Sequence, residues 1–151
     1  MDVATLSAQR LVLTLHRATA LVDRVADTHL RTMHDVTLSM FAALVTIHAI
    51  GPARQSKIAQ ALDVSRAAVT QRLVELVARG LVEVTPDATD QRANRVAITR
   101  KGRELLDAAW KGLAEIDDGI EDGIDLEALQ SALDTLVANA ARYLAGQEVT
   151  A

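Results

Sequence analysis

Leu11, Leu15, Ala18, Val22 and Val25 recur at alternating spacings of four and three, and His29 continues the series. One stripe of that kind predicts a helix over residues 5–30. Thr37, a good N-cap, opens a second helical pattern through Met40, Phe41, Leu44, Val45 and Ile47, which the pair Gly51-Pro52 must end. A short third helix is expected over 56–62, with Ile58, Ala59 and Leu62 inward. Asp63-Val64 then forms a tight turn, since Asp tolerates a left-handed backbone. Ser65 caps a fourth helix that runs to about residue 79 and is closed by Gly80.

At Leu81 the period changes from 3.6 to two. Residues 81–84 read as a strand, 85–95 as a turn and 96–98 as its antiparallel return. Helical spacing resumes at Lys101 (Leu105, Leu106, Ala109, Trp110, Leu113, Ile116). An acidic, glycine-dotted connector at 117–123 leads to a last helix over about 125–144, striped by Leu126, Leu129, Leu133, Leu136, Ala140 and Tyr143. The order is four helices, a hairpin and two helices: a mainly α fold with a small β-hairpin wing.

Composition narrows the class. The chain has 151 residues, 50% of them hydrophobic and 24% charged, enough for one well-buried domain and too few for two ordinary ones. With no Cys, disulfides, thiolate metal sites and a cysteine nucleophile are excluded. Arg10, His16, Arg17, Asp23 and Arg24 interrupt the first apolar stretch, so no run approaches the roughly 20 residues needed to span a bilayer. The N-terminus lacks the basic, apolar and small-residue order of a signal peptide. A cytoplasmic protein with no membrane association is the expectation.

Charge alters the picture more. The net charge is −4, yet residues 54–103 hold ten cations and five anions, a local +5. A basic middle between acidic ends is the asymmetry expected where one segment meets a polyanion. Arg10, Arg17, Arg24 and Arg31 recur every seven residues on the first helix, as a solvated face or as partners for acidic residues of another chain.

The basic segment contains "SKIAQALDVSRAAVTQRLVELVARGLVEV": two helices, a tight turn, then a hairpin. Small Ala59 suits a close helix crossing, and Val69, Leu73 and Leu76 face inward. That leaves Arg66, Ala67, Thr70 and Gln71 on the outer, N-terminal face of the second helix, the part of a recognition helix that reaches base edges. Arg can bridge the two acceptors of guanine, Gln can pair with adenine, and Ala or a Thr methyl can touch the thymine methyl. Gln55, Ser56, Lys57, Ser65 and Arg72 are better placed for phosphates, which set register without reading sequence.

These residues, with "TDQRANRVAITRKGRELL" after them, make the chain resemble the MarR family of transcriptional regulators over nearly its whole length. The family's D-x-R wing motif stands here as Asp90-Gln91-Arg92, and its LT-x-x-G element as Ile98-Thr99-Arg100-Lys101-Gly102. The resemblance implies a winged helix-turn-helix over about 37–100, a connecting helix over about 101–116, and dimerisation helices at about 1–33 and 117–151. It also implies a homodimer on pseudo-palindromic double-stranded DNA, usually a repressor, often released by a small organic ligand. Arg92 would enter the minor groove, where a narrow A/T-rich groove attracts a guanidinium; Asp90 would orient it, and Arg95 would meet phosphate. The chain departs from the family at Val84, where an arginine is frequent, and at Arg54 and Lys57, which add charge near the expected phosphates.

For a ligand, His34, Phe41, His48 and Trp110 are the candidates; aromatic content is only 2%. No cofactor is implied. The four histidines lack the i, i+4 spacing of a helical metal pair, so no metal ligand is assigned. No nucleophile elbow, phosphate loop or metal-bound Glu motif points to an enzyme. Two other readings use the same fold: a protein–protein adaptor with weakened DNA binding, for which Val84 speaks, and a metal-responsive regulator.

Overall fold

The computed structural model describes residues 3–90 and 93–148. Residues up to Glu115 form one compact unit and those from Ile116 a second. In the first, α1 (Val3–His34) is followed by α2 (Leu38–Ile50), the two-residue strand β1 (Ala53–Arg54), α3 (Gln55–Leu62) and α4 (Arg66–Ala78). The hairpin β2 (Val82–Pro86) and β3 (Asn94–Ile98) comes next, and α5 (Arg100–Ala114) closes the unit. The second unit contains α6 (Leu126–Glu148).

Capping residues set the helix boundaries where the sequence placed them. Thr37 accepts a hydrogen bond from the Met40 amide at 3.1 Å, and Ser65 one from the Ala68 amide at 3.2 Å. Each satisfies a donor that a helix start would otherwise orphan. Asp63 adopts the expected left-handed backbone (φ 51°, ψ 46°) and ends α3. Gly80, at φ +68°, turns the chain from α4 into the wing.

The core of this unit is apolar and continuous. Leu30 from α1, Leu44 and Ile47 from α2, Ile58 from α3, Leu76 from α4, and Val96 from β3 are each fully shielded from solvent. Leu106 and Ala109 of α5 join the same cluster. Val69, Leu73 and Leu76 are buried as expected, which leaves the opposite face of α4 open.

The sheet has three antiparallel strands in the order β1-β3-β2. Val96 lies between Ala53 on one side and Val84 on the other. Both hairpin arms extend further than the apolar pattern indicated, because Thr85 pairs with Arg95 and Pro86 with Asn94. β1 carried no sequence signal, being two residues long. The first helix starts earlier and ends later than its stripe, and much of that stripe is open: Leu11, Val22 and Val25 are exposed, as are Leu129, Leu136 and Tyr143 of α6. No single helix among the described residues is long and apolar enough to cross a membrane.

Candidate nucleic-acid interface

Arg66, Ala67, Thr70 and Gln71 all lie exposed on α4. The Thr70 hydroxyl is 3.0 Å from the Arg66 carbonyl and 3.3 Å from Gln55 Oε1, either of which can accept its proton. That contact ties the outer face of α4 to the first residue of α3. Beside it, Arg54, Gln55, Ser56, Arg66, Ala93 and Asn94 line an open polar notch of about 380 Å³. A second notch of about 280 Å³ is bounded by Pro52, Ala53, Arg54, Ser56, Lys57 and Arg95. Gln55, Ser56, Lys57, Arg66 and Arg95, singled out from sequence, are thus gathered around the start of α3, with Arg54 shared by both notches.

The base of the wing is built on a carboxylate that sequence reasoning passed over. Asp87 is buried, and its Oδ1 accepts hydrogen bonds from the Thr89 amide (2.9 Å) and hydroxyl (2.6 Å). Its Oδ2 accepts from Arg54 Nε at 3.2 Å and lies 3.8 Å from Arg95 Nη1. The Arg54 hydrogen bond above all, then the two from Thr89, hold the Asp87 carboxyl well below the usual carboxylate range; reciprocally, Asp87 raises Arg54. Arg95 also donates to the Pro52 carbonyl. Asp90 Oδ2 lies 3.8 Å from Arg54 Nη1. Arg92 falls outside the described residues. The signal for Asp87 was in the sequence: an Asp two residues before a Thr, after Pro86, is the pattern of a side chain closing its own turn.

Arg72 sits elsewhere. It lines an open cleft of about 630 Å³ with Asp23, Arg24, Asp27 and Thr28 of α1, Leu38, Ser39 and Ala42 of α2, and Leu62 and Val64 at the turn. Asp27 spans that cleft's edge, accepting from the Leu38 amide at 2.7 Å and from Arg31 Nε at 2.6 Å. The Leu38 amide first, and Arg31 second, draw its carboxyl below the ordinary range.

The four ligand candidates do not line this cleft. Phe41 is buried and meets half-exposed Trp110 edge-on, with ring centroids 5.0 Å apart. His34 and His29 form a second edge-on pair at 6.1 Å. A Cβ at Gly112 would come within 2.9 Å of His29 Nε2, an atom that is buried without a hydrogen-bond partner among the described residues. His48 is exposed in the last turn of α2. Among the described residues, no three His, Cys, Asp or Glu side chains are grouped to hold a metal ion.

Comparison with known proteins agrees with this architecture. Residues 36–93 match the MarR family. A Bacillus subtilis protein described as the uncharacterised HTH-type transcriptional regulator YhbI is 29% identical over 96 residues, 64% of this chain and 62% of its own. The HTH-type transcriptional repressor NicR of Pseudomonas putida is 34% identical over 73 residues, 48% of this chain and 46% of its own. The chain thus spans less than two thirds of either relative. Among solved structures, the transcriptional repressor CouR, bound to a 23-mer DNA duplex, superposes with a TM-score of 0.78 at 26% identity, covering 93% of this chain and 98% of CouR. Residues 36–93 thus carry a MarR-family segment, set within a fold shared with solved transcriptional regulators such as CouR.

Proposed function

We propose that the chain regulates transcription by binding double-stranded DNA sequence-specifically as a homodimer. The observation that carries this is the open N-terminal face of α4 (Arg66, Ala67, Thr70, Gln71), flanked by two cation-lined notches at the start of α3. α4 enters the major groove, with Arg66 and Gln71 on base edges. Gln55, Ser56, Lys57 and Ser65 meet phosphates, and Arg95 adds charge at the wing. Arg92 reaches the flanking minor groove. Two half-sites about one helical turn (~10 bp) apart make the operator a pseudo-palindrome.

Two further features support the assembly and its regulation. The exposed stripe of Leu11, Val22 and Val25 on α1, and that of Leu129, Leu136 and Tyr143 on α6, leave apolar surface that a second copy would cover. The protein acts in the cytoplasm as a repressor released by a small organic ligand held by residues among His34, Phe41, His48 and Trp110; buried Phe41 meets half-exposed Trp110, and a buried His29 nitrogen has no hydrogen-bond partner among the described residues.

The test is selection of duplexes from a randomised pool, followed by titration of the selected site with wild type and Arg66→Ala. Loss of a bidentate base contact costs about 1–3 kcal/mol, roughly 5- to 150-fold, and relaxes preference at one position per half-site. An Arg66→Ala protein that retains full affinity and preference contradicts the assignment.

A further inference from the structure

Asp87 presents a physical puzzle. A buried carboxylate is costly unless its partners surround it, and a well-packed apolar residue commonly gives equal or better stability. Here every partner belongs to the interface side of the molecule. Thr89 is in the wing loop, Arg54 is the last residue of β1 and occupies the position before α3, and Arg95 is on β3. The Asp87 amide in turn donates to the Ala93 carbonyl at 2.9 Å, closing the loop behind it. One side chain therefore joins the hairpin loop to the strand that leads into the helix-turn-helix. Arg54 deepens the point. It stands where a helix-capping side chain is expected and makes no cap hydrogen bond; its guanidinium is turned to Asp87 instead.

We propose that Asp87 is a positioning residue for DNA recognition: through Arg54 and Arg95 it sets the hairpin at a fixed distance from α4. Groove reading by α4 and contact with the flanking backbone then occur together. This rests on the DNA-binding reading above. Without the latch, Arg54 and Arg95 keep their charge but lose their place, so contact outside the half-site is what weakens. A guanidinium fixed by a carboxylate through Nε still offers its terminal nitrogens to a phosphate, which a lysine cannot do in the same geometry.

The experiment uses the duplex selected by wild type, alongside a version whose flanking base pairs are exchanged and versions altered within the half-sites. Asp87→Asn preserves shape and an acceptor for Thr89 but removes the charge from Arg54 and Arg95. Expected are about tenfold weaker binding of the selected duplex and little remaining response to the flanks. Discrimination within the half-site stays close to wild type, while the melting temperature without DNA falls at neutral pH, because the charge that Arg54 and Thr89 stabilise is gone. Arg54→Lys, on the exposed partner, gives the same pattern even if Asp87→Asn does not fold. Where both fold, the double variant is no weaker than Asp87→Asn alone, because the two act as one unit. Wild-type flank response in the variants, additive losses, or a loss of half-site discrimination in parallel with that of the flank response would overturn the positioning role. If wild type itself enriches no duplex, the DNA-binding reading fails instead.

Discussion

Thr99 shows how much a single side chain is asked to do at the back of the wing. Its hydroxyl caps α5 by accepting from the Gly102 amide at 3.0 Å, and lies 2.7 Å from the Gly80 carbonyl, to which it donates. Its backbone amide donates to the Leu81 carbonyl. Thr99→Ala should therefore destabilise the fold by about 1–2 kcal/mol, at the upper end for a lost cap, as read by denaturant titration; an unchanged midpoint would mean the cap is dispensable. Asp27 and Asp87 act through charge. Both carboxyls titrate below the ordinary value in the folded chain. A group depressed on folding contributes stability that is present above its unfolded pKa of about 3.9 and is lost as pH falls through the lower folded value. Melting temperature should thus hold from pH 7 down to about pH 4 where these groups are concerned, and fall below it. Asp27→Asn should lower the melting temperature at pH 7 and reduce the further fall in acid; an acid limb as steep as that of wild type would exclude Asp27 as a contributor.

At the level of elements, what was legible depended on whether packing or pairing built the element. The helices of the winged unit bury one face each, so their apolar spacing announced α2, α3, α4 and α5, and Thr37, Asp63, Ser65 and Gly80 marked their ends. β1 has only Ala53 and Arg54 and exists because Val96 and Arg95 offer it a ladder; two residues hold no period. The outer hairpin rungs, Thr85 with Arg95 and Pro86 with Asn94, are polar or lack an amide proton and so gave no alternation. Pro86 is tolerable there because β2 is an edge strand. The exposed N-terminal face of α4 was legible because it is the complement of a clear apolar face. Arg72 was not, since it falls at the margin between the two and lines the cleft against α1 and α2. The sharpest packing constraint between elements is Gly102, where an added Cβ would stand 2.1 Å from the Leu81 carbonyl oxygen and 2.7 Å from Ile98 Cγ1. Gly102→Ala must push α5 away from the base of the wing. A loss at the upper end of the 1–3 kcal/mol typical of overpacking is expected in thermal unfolding; near-wild-type stability would show that this junction yields easily.

For the molecule as a whole, an acidic net charge coexists with a local +5 over residues 54–103, which run from the end of β1 through α3, α4 and the wing to the start of α5. The exposed apolar stripes of α1 and α6 are the other whole-molecule feature, readable as periodicity but not as burial. Replacing Leu11 and Val22 together by Glu should convert a dimer to monomers by light scattering and cut operator affinity by more than tenfold, because each half-site would then be bound alone. A variant that remains dimeric would place the interface elsewhere. Most direct is the salt dependence of binding to the duplex selected from a random pool. Nanomolar-range affinity for a pseudo-palindrome, falling linearly in log–log form with a slope of several units as counterions are released, is the expected result. Failure to enrich any duplex, or an affinity indifferent to salt, would contradict DNA recognition by this winged helix.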